Sequence, residues 1–99
     1  MNGHVDLIQY VSLRKYVPRI GDVIIHHGWL SRTKWFAVII DILPDGTLRL
    51  AQGSIPLLLF TTAESGRKKI DLSLGDIQQA TQGSYSIVQQ VNGASVWYV

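Results

Sequence analysis

The chain has 99 residues, of which 46% are hydrophobic and 16% are charged, with nine Lys and Arg against seven Asp and Glu. This length predicts one domain with a single modest core, and a mean hydropathy of +0.16 excludes an intrinsically disordered chain. The net charge of +2 falls short of the clustered excess of a dedicated nucleic-acid binder. The absence of cysteine excludes disulfides and thiolate metal sites.

The sequence shows no targeting or membrane-spanning pattern. Its first residues do not combine a charged region with a long apolar stretch, so we expect no signal peptide. The apolar runs are far shorter than the roughly 20 residues that span a bilayer. We therefore expect no membrane partner and a location in the cytoplasm, where the protein is made.

An apolar segment precedes the first clear strand. The apolar residues of the segment 4–17, among them Leu7 and Tyr10, fit the spacing of one helix face and that of one strand face about equally well. The sequence therefore leaves open whether this segment is a helix or a strand. Pro18 ends either structure, because it restricts the residue before it to extended backbone. We define residues 1–19 as an N-terminal arm, which docks either on the chain's own barrel or on another surface.

Residues 20–99 alternate between short strands and turns, which predicts a β-barrel domain. Residues 23–27 form the first expected strand, and a hairpin of residues 35–43 and 47–51 follows. Pro44-Asp45-Gly46 joins its strands, because Pro presets the first turn position and Gly accepts the left-handed conformation that closes it. We take this central hairpin as the core of the domain.

The first strand of the central hairpin is apolar on both faces. Alternation divides it into one face with Phe36, Val38, Ile40 and Ile42, and another with Trp35, Ala37, Ile39, Asp41 and Leu43. A strand of an antiparallel sheet is normally apolar only on the face that packs on the core. The first face is wholly apolar and suits the interior, and a face such as Trp35, Ile39 and Leu43 would then pack against a partner; the pattern alone leaves open which of the two lies inside.

The rest of the chain predicts two further hairpins and a helical turn. The Asn92-Gly93 pair suits the tight turn of the last hairpin. In chain order the expected elements are strands at residues 57–62 and 67–74, a helical turn at residues 75–80, and strands at residues 84–90 and 94–99.

The order of Gly21-Asp22-Val23-Ile24, the Pro44-Asp45-Gly46 turn and the later helical turn resembles that of SH3-like small barrels of the KOW or Tudor type. The resemblance covers roughly residues 20–88, and two extra hairpins depart from the five-strand pattern. It implies an all-β, SH3-like barrel of five to seven short antiparallel strands, with one short helical turn, an N-terminal arm and a C-terminal hairpin. Such barrels recur in head, neck and tail accessory proteins of tailed phages, so the resemblance also implies a structural role in a virion.

No group of residues predicts catalysis, a cofactor or a metal site. His26 and His27 are adjacent on an expected strand, so their side chains point to opposite faces and cannot bind one ion without distortion. Ser31 and Ser54 lack a sequence neighbourhood typical of an activated nucleophile. We expect no enzyme activity, and a small enzyme or metal protein is the least favoured function.

One cluster of cations suggests an alternative partner. Arg67, Lys68 and Lys69, together with Arg49, form a basic hairpin suited to contacting phosphate. Lysines on an edge strand also discourage aggregation, and two nearby carboxylates weaken the positive field. We favour that structural role and keep a nucleic-acid-binding, KOW-like barrel as the alternative function.

The favoured function is a non-enzymatic structural or interaction module, a subunit of a larger assembly such as a phage virion. Low charge, doubly apolar strands and apolar segments at both termini indicate a surface covered by protein, either copies of this chain or other subunits. Aromatic and large aliphatic residues are the usual anchors of such surfaces. The predicted interface residues are Trp35, Ile39, Leu43, Leu58, Phe60, Trp97 and Tyr98.

Overall fold

Strands make up most of the chain that the structure describes. The structure is a computed structural model that describes residues 8–28, 34–53, 68–80 and 83–99. The elements are, in chain order, β1 (Ile8–Val11), a 3₁₀ turn (Leu13–Lys15), β2 (Val23–His26), β3 (Trp35–Ile42), β4 (Thr47–Gly53), β5 (Lys68–Ser73), α1 (Leu74–Gln79), β6 (Tyr85–Val91) and β7 (Ala94–Tyr98). The prediction of an all-β fold with a short helical element is confirmed, and barrel closure stays a prediction.

The seven strands of the described residues form one sheet with the order β1-β7-β6-β2-β3-β4-β5. Every neighbouring pair is antiparallel except β1 and β7, which run parallel. The expectation of antiparallel strands throughout was therefore wrong for this pair. Parallel neighbours need a long crossover, and here the chain between the first and last strands supplies it.

The central hairpin has the predicted turn. Gly46 adopts a φ of +88° and donates its N–H to the carbonyl of Leu43 at 3.0 Å. The Asp45 carboxylate accepts the N–H of Thr47 at 2.9 Å, which closes an Asx turn. These contacts are local in sequence, so a short motif was enough to predict them.

The last hairpin and the helix also lie where the sequence placed them. Asn92 and Gly93 both have positive φ, at 49° and 80°, as a two-residue turn between twisted strands requires. Ser73 caps α1 by accepting the N–H of Asp76 on its Oγ atom. The strand expected at residues 57–62 lies outside the described residues, and the strand after it, β5, pairs with β4.

One face of the sheet carries the main core. Its strand residues are Ile24, Ala37, Ile39, Leu48, Leu50 and Ile87, all completely buried. Tyr16 from the arm and Ile77 from α1 complete the cluster. The face of β3 that contains Ala37 and Ile39 is therefore the inner one.

The opposite face of the central strands is also buried, within the single chain. Val23, Val38 and Ala51 face one another across three strands and are 5%, 1% and 0% exposed. The expectation that one face of β3 is left for a partner is thus corrected at the centre of the strand, where Val38 and Ile39, on opposite faces, are both buried. That part of the surface is not free to bind another molecule.

A buried polar group fastens the arm to the sheet. The Asp22 carboxylate accepts hydrogen bonds from the Tyr16 hydroxyl at 2.5 Å, the Arg19 N–H at 2.9 Å and the Gln89 side-chain amide at 3.0 Å. Gln89 also donates to the carbonyl of Val17 at 3.0 Å. Burial, the hydrogen bond to Asp22 and its negative charge raise the pKa of Tyr16 well above its usual range.

Candidate protein interface

Exposed large hydrophobic side chains are concentrated in the arm and beside it. Across the described ranges, the residues of this kind are Ile8, Tyr10, Val17, Ile20 and Val99. Ile8 and Tyr10 lie in β1, and Val17 and Ile20 lie in the segment between β1 and β2. Val99 is close to them, because its N–H donates to the carbonyl of Val11 in β1. This uncovered apolar surface therefore lies on the arm and next to it rather than on the central hairpin.

β1 is unusually exposed for a strand in parallel pairing. Tyr10 is 69% exposed and Ile8 52%, and Gln9 between them is also exposed. Parallel strands are normally covered on both faces by other elements. This strand is bonded to β7 on one side only, as far as the described strands show, and we name its other side the β1 edge.

The β1 edge carries none of the side chains that usually prevent edge pairing. Proteins protect edges with Lys, Pro, a bulge or an inward-pointing charge. The residues of β1 are Ile, Gln, Tyr and Val, with no charge and no proline. An unprotected edge of this kind is a template for a further strand.

The other end of the described sheet is protected. Lys68 and Lys69 are exposed at the start of β5, and Arg49 of β4 forms an ion pair with Asp71 at 3.1 Å. Both partners of this pair are more than 40% exposed, so it adds little stability. Its main effect is to place charge along this end of the sheet.

Trp35 and Ile39, two predicted interface residues, pack inside the chain. Ile39 is completely buried in the core, so its assignment to an interface is corrected. The Trp35 ring stacks on His26 at 5.2 Å and meets the Tyr85 ring at 6.3 Å, edge to face. These three residues face one another across β3, β2 and β6, and Trp35 and Tyr85 pack against the core.

The remaining predicted anchors have different surroundings. Tyr98 is partly buried, with its ring 4.9 Å from that of Tyr16 and its hydroxyl donating to Gln89. Leu43 is partly buried beside the central turn. Trp97 is partly buried and lies opposite Tyr10 in the β1–β7 pair, which places it next to the exposed arm. Leu58 and Phe60 lie outside the described residues.

The predicted basic cluster is divided by the structure. Lys68 and Lys69 are exposed, whereas Arg49 is engaged with Asp71. Lys34 is also exposed, with its ammonium 5.5 Å from the centre of the Phe36 ring. Arg67 lies outside the described residues.

The two adjacent histidines have separate partners, in agreement with their alternating directions. His26 contacts aromatic rings, and its Nδ1 atom is buried without a hydrogen-bond partner among the described residues. The His27 ring nitrogen lies 2.7 Å from the Ser86 hydroxyl. Burial, followed by the charges of Lys34 and His26, lowers the pKa of His27. Within the described ranges no group of three or more His, Cys, Asp or Glu is arranged to hold a metal ion.

A cavity of about 390 Å³ lies between the arm and α1. Arg14 and Gln78 are among its lining residues, together with Tyr85 and Val99. The Gln78 side-chain amide lies within hydrogen-bond distance of three arm carbonyls, those of Leu13, Arg14 and Tyr16. Because these contacts join two parts of the same chain, the Gln78 side chain holds the arm against α1.

Comparisons with family models, curated proteins and solved structures give no match to this chain. In the part of the chain that the structure describes, no helix is long and apolar enough to cross a membrane.

The sequence reasoning missed Ile8 and Tyr10 as surface residues. It recognised that the arm is apolar, yet two periodicities fitted residues 4–17 equally well. The available signal was the uncharged run Ile8–Val11 without lysine or proline, which is atypical of an exposed strand edge. That signal has meaning only once the run is known to be a strand at the end of a sheet.

Proposed function

We propose that this chain is a non-enzymatic interaction module that acts as a subunit of a larger protein assembly. The observation that carries the proposal is the β1 edge, an uncharged and exposed strand side at the end of a seven-stranded sheet. Burying apolar side chains such as Ile8 and Tyr10 contributes about 25 cal/mol per Å² of area removed from water. Adding a strand would also satisfy backbone groups at the edge.

A virion of a tailed phage is the most concrete form of this assembly. The support is the order of elements: β2, β3, β4 and β5 follow one another in the sheet, α1 comes next, and β6 returns to pair with β2. A short helical element before a closing strand is the pattern on which the SH3-like resemblance rests. Such a fold hosts many functions, so the resemblance supports the proposal without fixing it.

The mass in solution tests the proposed assembly. Light scattering across a hundredfold range of concentration, at low and moderate salt, should give a defined multiple of the 11.0 kDa chain mass. Because the proposed contact consists of apolar side chains and backbone hydrogen bonds, moderate salt should not dissociate the oligomer. A monomer at every concentration would contradict the role of a self-assembling subunit.

Nucleic-acid binding is the second candidate function. Lys68 and Lys69 begin β5, and Lys34 directly precedes β3. Both strands pair with β4, and their first residues lie beside its last residues, so the three lysines lie on the same side of the sheet, where β3 and β5 begin. All three are exposed, which favours a phosphate contact there. The ion pair of Arg49 with Asp71 weakens the positive field nearby.

Salt dependence separates this candidate from the first. Binding of a labelled duplex or single strand should weaken steeply between about 50 and 200 mM salt if several phosphates are neutralised. The double variant Lys68→Gln/Lys69→Gln should then lose affinity, whereas a Lys68→Arg/Lys69→Arg control, which keeps both positive charges, should retain it. Equal affinity in both variants would contradict a nucleic-acid site at β5.

A further inference from the structure

We propose that the β1 edge pairs with the same edge of a second copy, in antiparallel orientation around a two-fold axis at Gln9. The proposal deepens the proposed function, on which it rests, because it names the surface and the partner. It predicts a continuous sheet through both copies, with each copy contributing the seven strands that the structure describes.

The hydrogen bonds of β1 with the end of the chain show which of its backbone groups point away from β7. The Val11 carbonyl accepts the N–H of Val99 at 3.0 Å, and the Leu13 N–H donates to the carbonyl of Val99 at 3.1 Å. Backbone groups of alternate residues in a strand point to opposite sides. Val11 therefore faces β7, and the N–H and carbonyl groups of Ile8 and Tyr10 face the β1 edge.

These two residues determine the register of the pair. In an antiparallel ladder, residues whose backbone groups face the partner exchange two hydrogen bonds with the residue opposite. Pairing Ile8 of each copy with Tyr10 of the other uses all four of the outward groups that these residues offer. Gln9 then lies opposite Gln9 of the second copy.

The side chains fit the same register. Ile8 and Tyr10 project on one face, because they are two residues apart. Each aliphatic side chain would lie beside an aromatic one, a favourable cross-strand pair. Both are more than half exposed in the single chain, so this apolar area remains to be covered.

Charge favours a copy of β1 over the other described end of the sheet. β1 has no charged residue, so two copies meet without repulsion. β5 presents Lys68 and Lys69, and pairing it with β1 would place the exposed hydrophobic side chains beside ammonium groups. A symmetric β1 pair also closes on itself, whereas a head-to-tail contact generates rings or filaments.

Disulfide trapping tests the register. The chain has no cysteine, so Gln9→Cys creates a single thiol on an exposed position. The two Cα atoms in this non-hydrogen-bonded pair should lie about 4.5 Å apart, which a disulfide spans. Under mild oxidation the variant should form a dimer of about twice the chain mass, and Lys68→Cys, at the other end of the sheet, should not.

A second variant shows whether the trapped pair reflects a native contact. Adding Tyr10→Lys to Gln9→Cys removes both apolar pairs and introduces two positive charges, so cross-linking should slow about tenfold or more. The thiol should still react with a small maleimide at the same rate, and circular dichroism should show an unchanged fold, since Tyr10 is 69% exposed.

The outcomes distinguish the pairing from the proposed function. Efficient trapping at Gln9→Cys that Tyr10→Lys suppresses supports the β1 pair. An oligomeric wild type with no trapping at Gln9→Cys, or with faster trapping at Lys68→Cys, overturns the β1 pair and leaves the assembly role standing. A monomeric wild type with no trapping overturns both.

Discussion

At the scale of residues, Asp22 is the point that joins the arm to the sheet. Asp22 is 5% exposed, and its carboxylate accepts three hydrogen bonds, one each from Tyr16, Arg19 and Gln89. A buried carboxylate costs free energy unless donors surround it. Here the donors come from the arm and from β6, so satisfying the charge also fixes the position of the arm.

Replacing Tyr16 with Phe should destabilise the fold. The change removes the hydroxyl that donates to Asp22, and a hydrogen bond to a charged group contributes about 1.5–3 kcal/mol. Urea unfolding should show a loss of this size. Tyr10→Phe is the matched control, because that hydroxyl is on an exposed side chain and its loss should change stability by less than about 0.5 kcal/mol. Equal stability of the two variants would contradict the role of the Asp22 cluster.

Tyr16 should also make stability depend on alkaline pH. Its pKa is raised in the fold, whereas in the unfolded chain it titrates near 10. Below about pH 10 both states hold the proton, and above it only the unfolded state releases the proton, so stability falls as pH rises. The wild type should therefore lose up to about 1.4 kcal/mol more per pH unit above pH 10 than Tyr16→Phe does. Parallel curves of unfolding free energy against pH would contradict this coupling.

At the scale of elements, the hairpin turns were predictable and the pairing of β1 was not. Pro44-Asp45-Gly46 and Asn92-Gly93 specify their turns through φ preferences that act within a few residues. The partner of β1 is β7, at the other end of the chain, and no local pattern encodes such a contact. The same periodicity problem explains why residues 4–17 fitted both a helix and a strand.

The two faces of β3 show a second limit of the sequence pattern. Alternation correctly divided Val38 from Ile39, and it could not show which face lies inside. The structure places Ile39 in the core and also buries Val38 within the chain. Apolar residues on both faces of β3 therefore correctly indicated that both faces are buried at the centre of the strand. They did not show that a partner protein is needed to bury the second face.

The turn between β6 and β7 gives a prediction about the last hairpin. Gly93 has a φ of +80°, where any L side chain is strained, so Gly93→Ala should cost about 1 kcal/mol or more. The matched control is Gly75→Ala in α1, where the added Cβ would lie 3.6 Å from the Ser73 Oγ atom. Helix propensity favours alanine there, so that variant should be neutral or up to about 1 kcal/mol more stable. Thermal unfolding that ranks the two variants in the opposite order would contradict this turn geometry.

At the scale of the whole molecule, the two ends of the described sheet differ in chemistry. The β5 end carries lysines and an ion pair, and the β1 end is uncharged and exposes Ile8 and Tyr10. The charged β5 end suits contact with water, whereas the β1 end leaves apolar side chains uncovered. The parallel pairing of β1 with β7 adds to this difference, because strands in parallel pairs are normally covered.

Amide hydrogen exchange of β1, measured by NMR at low and high protein concentration, tests this difference most directly. The N–H groups of Ile8 and Tyr10 face the β1 edge, so their exchange should slow as the concentration rises and copies associate. The N–H of Leu13, bonded to Val99, should change much less, because its partner lies within the chain. Protection of Ile8 and Tyr10 that grows with concentration would support assembly through the β1 edge. Exchange of both residues that is fast at every concentration, in a sample that stays monomeric, would contradict it.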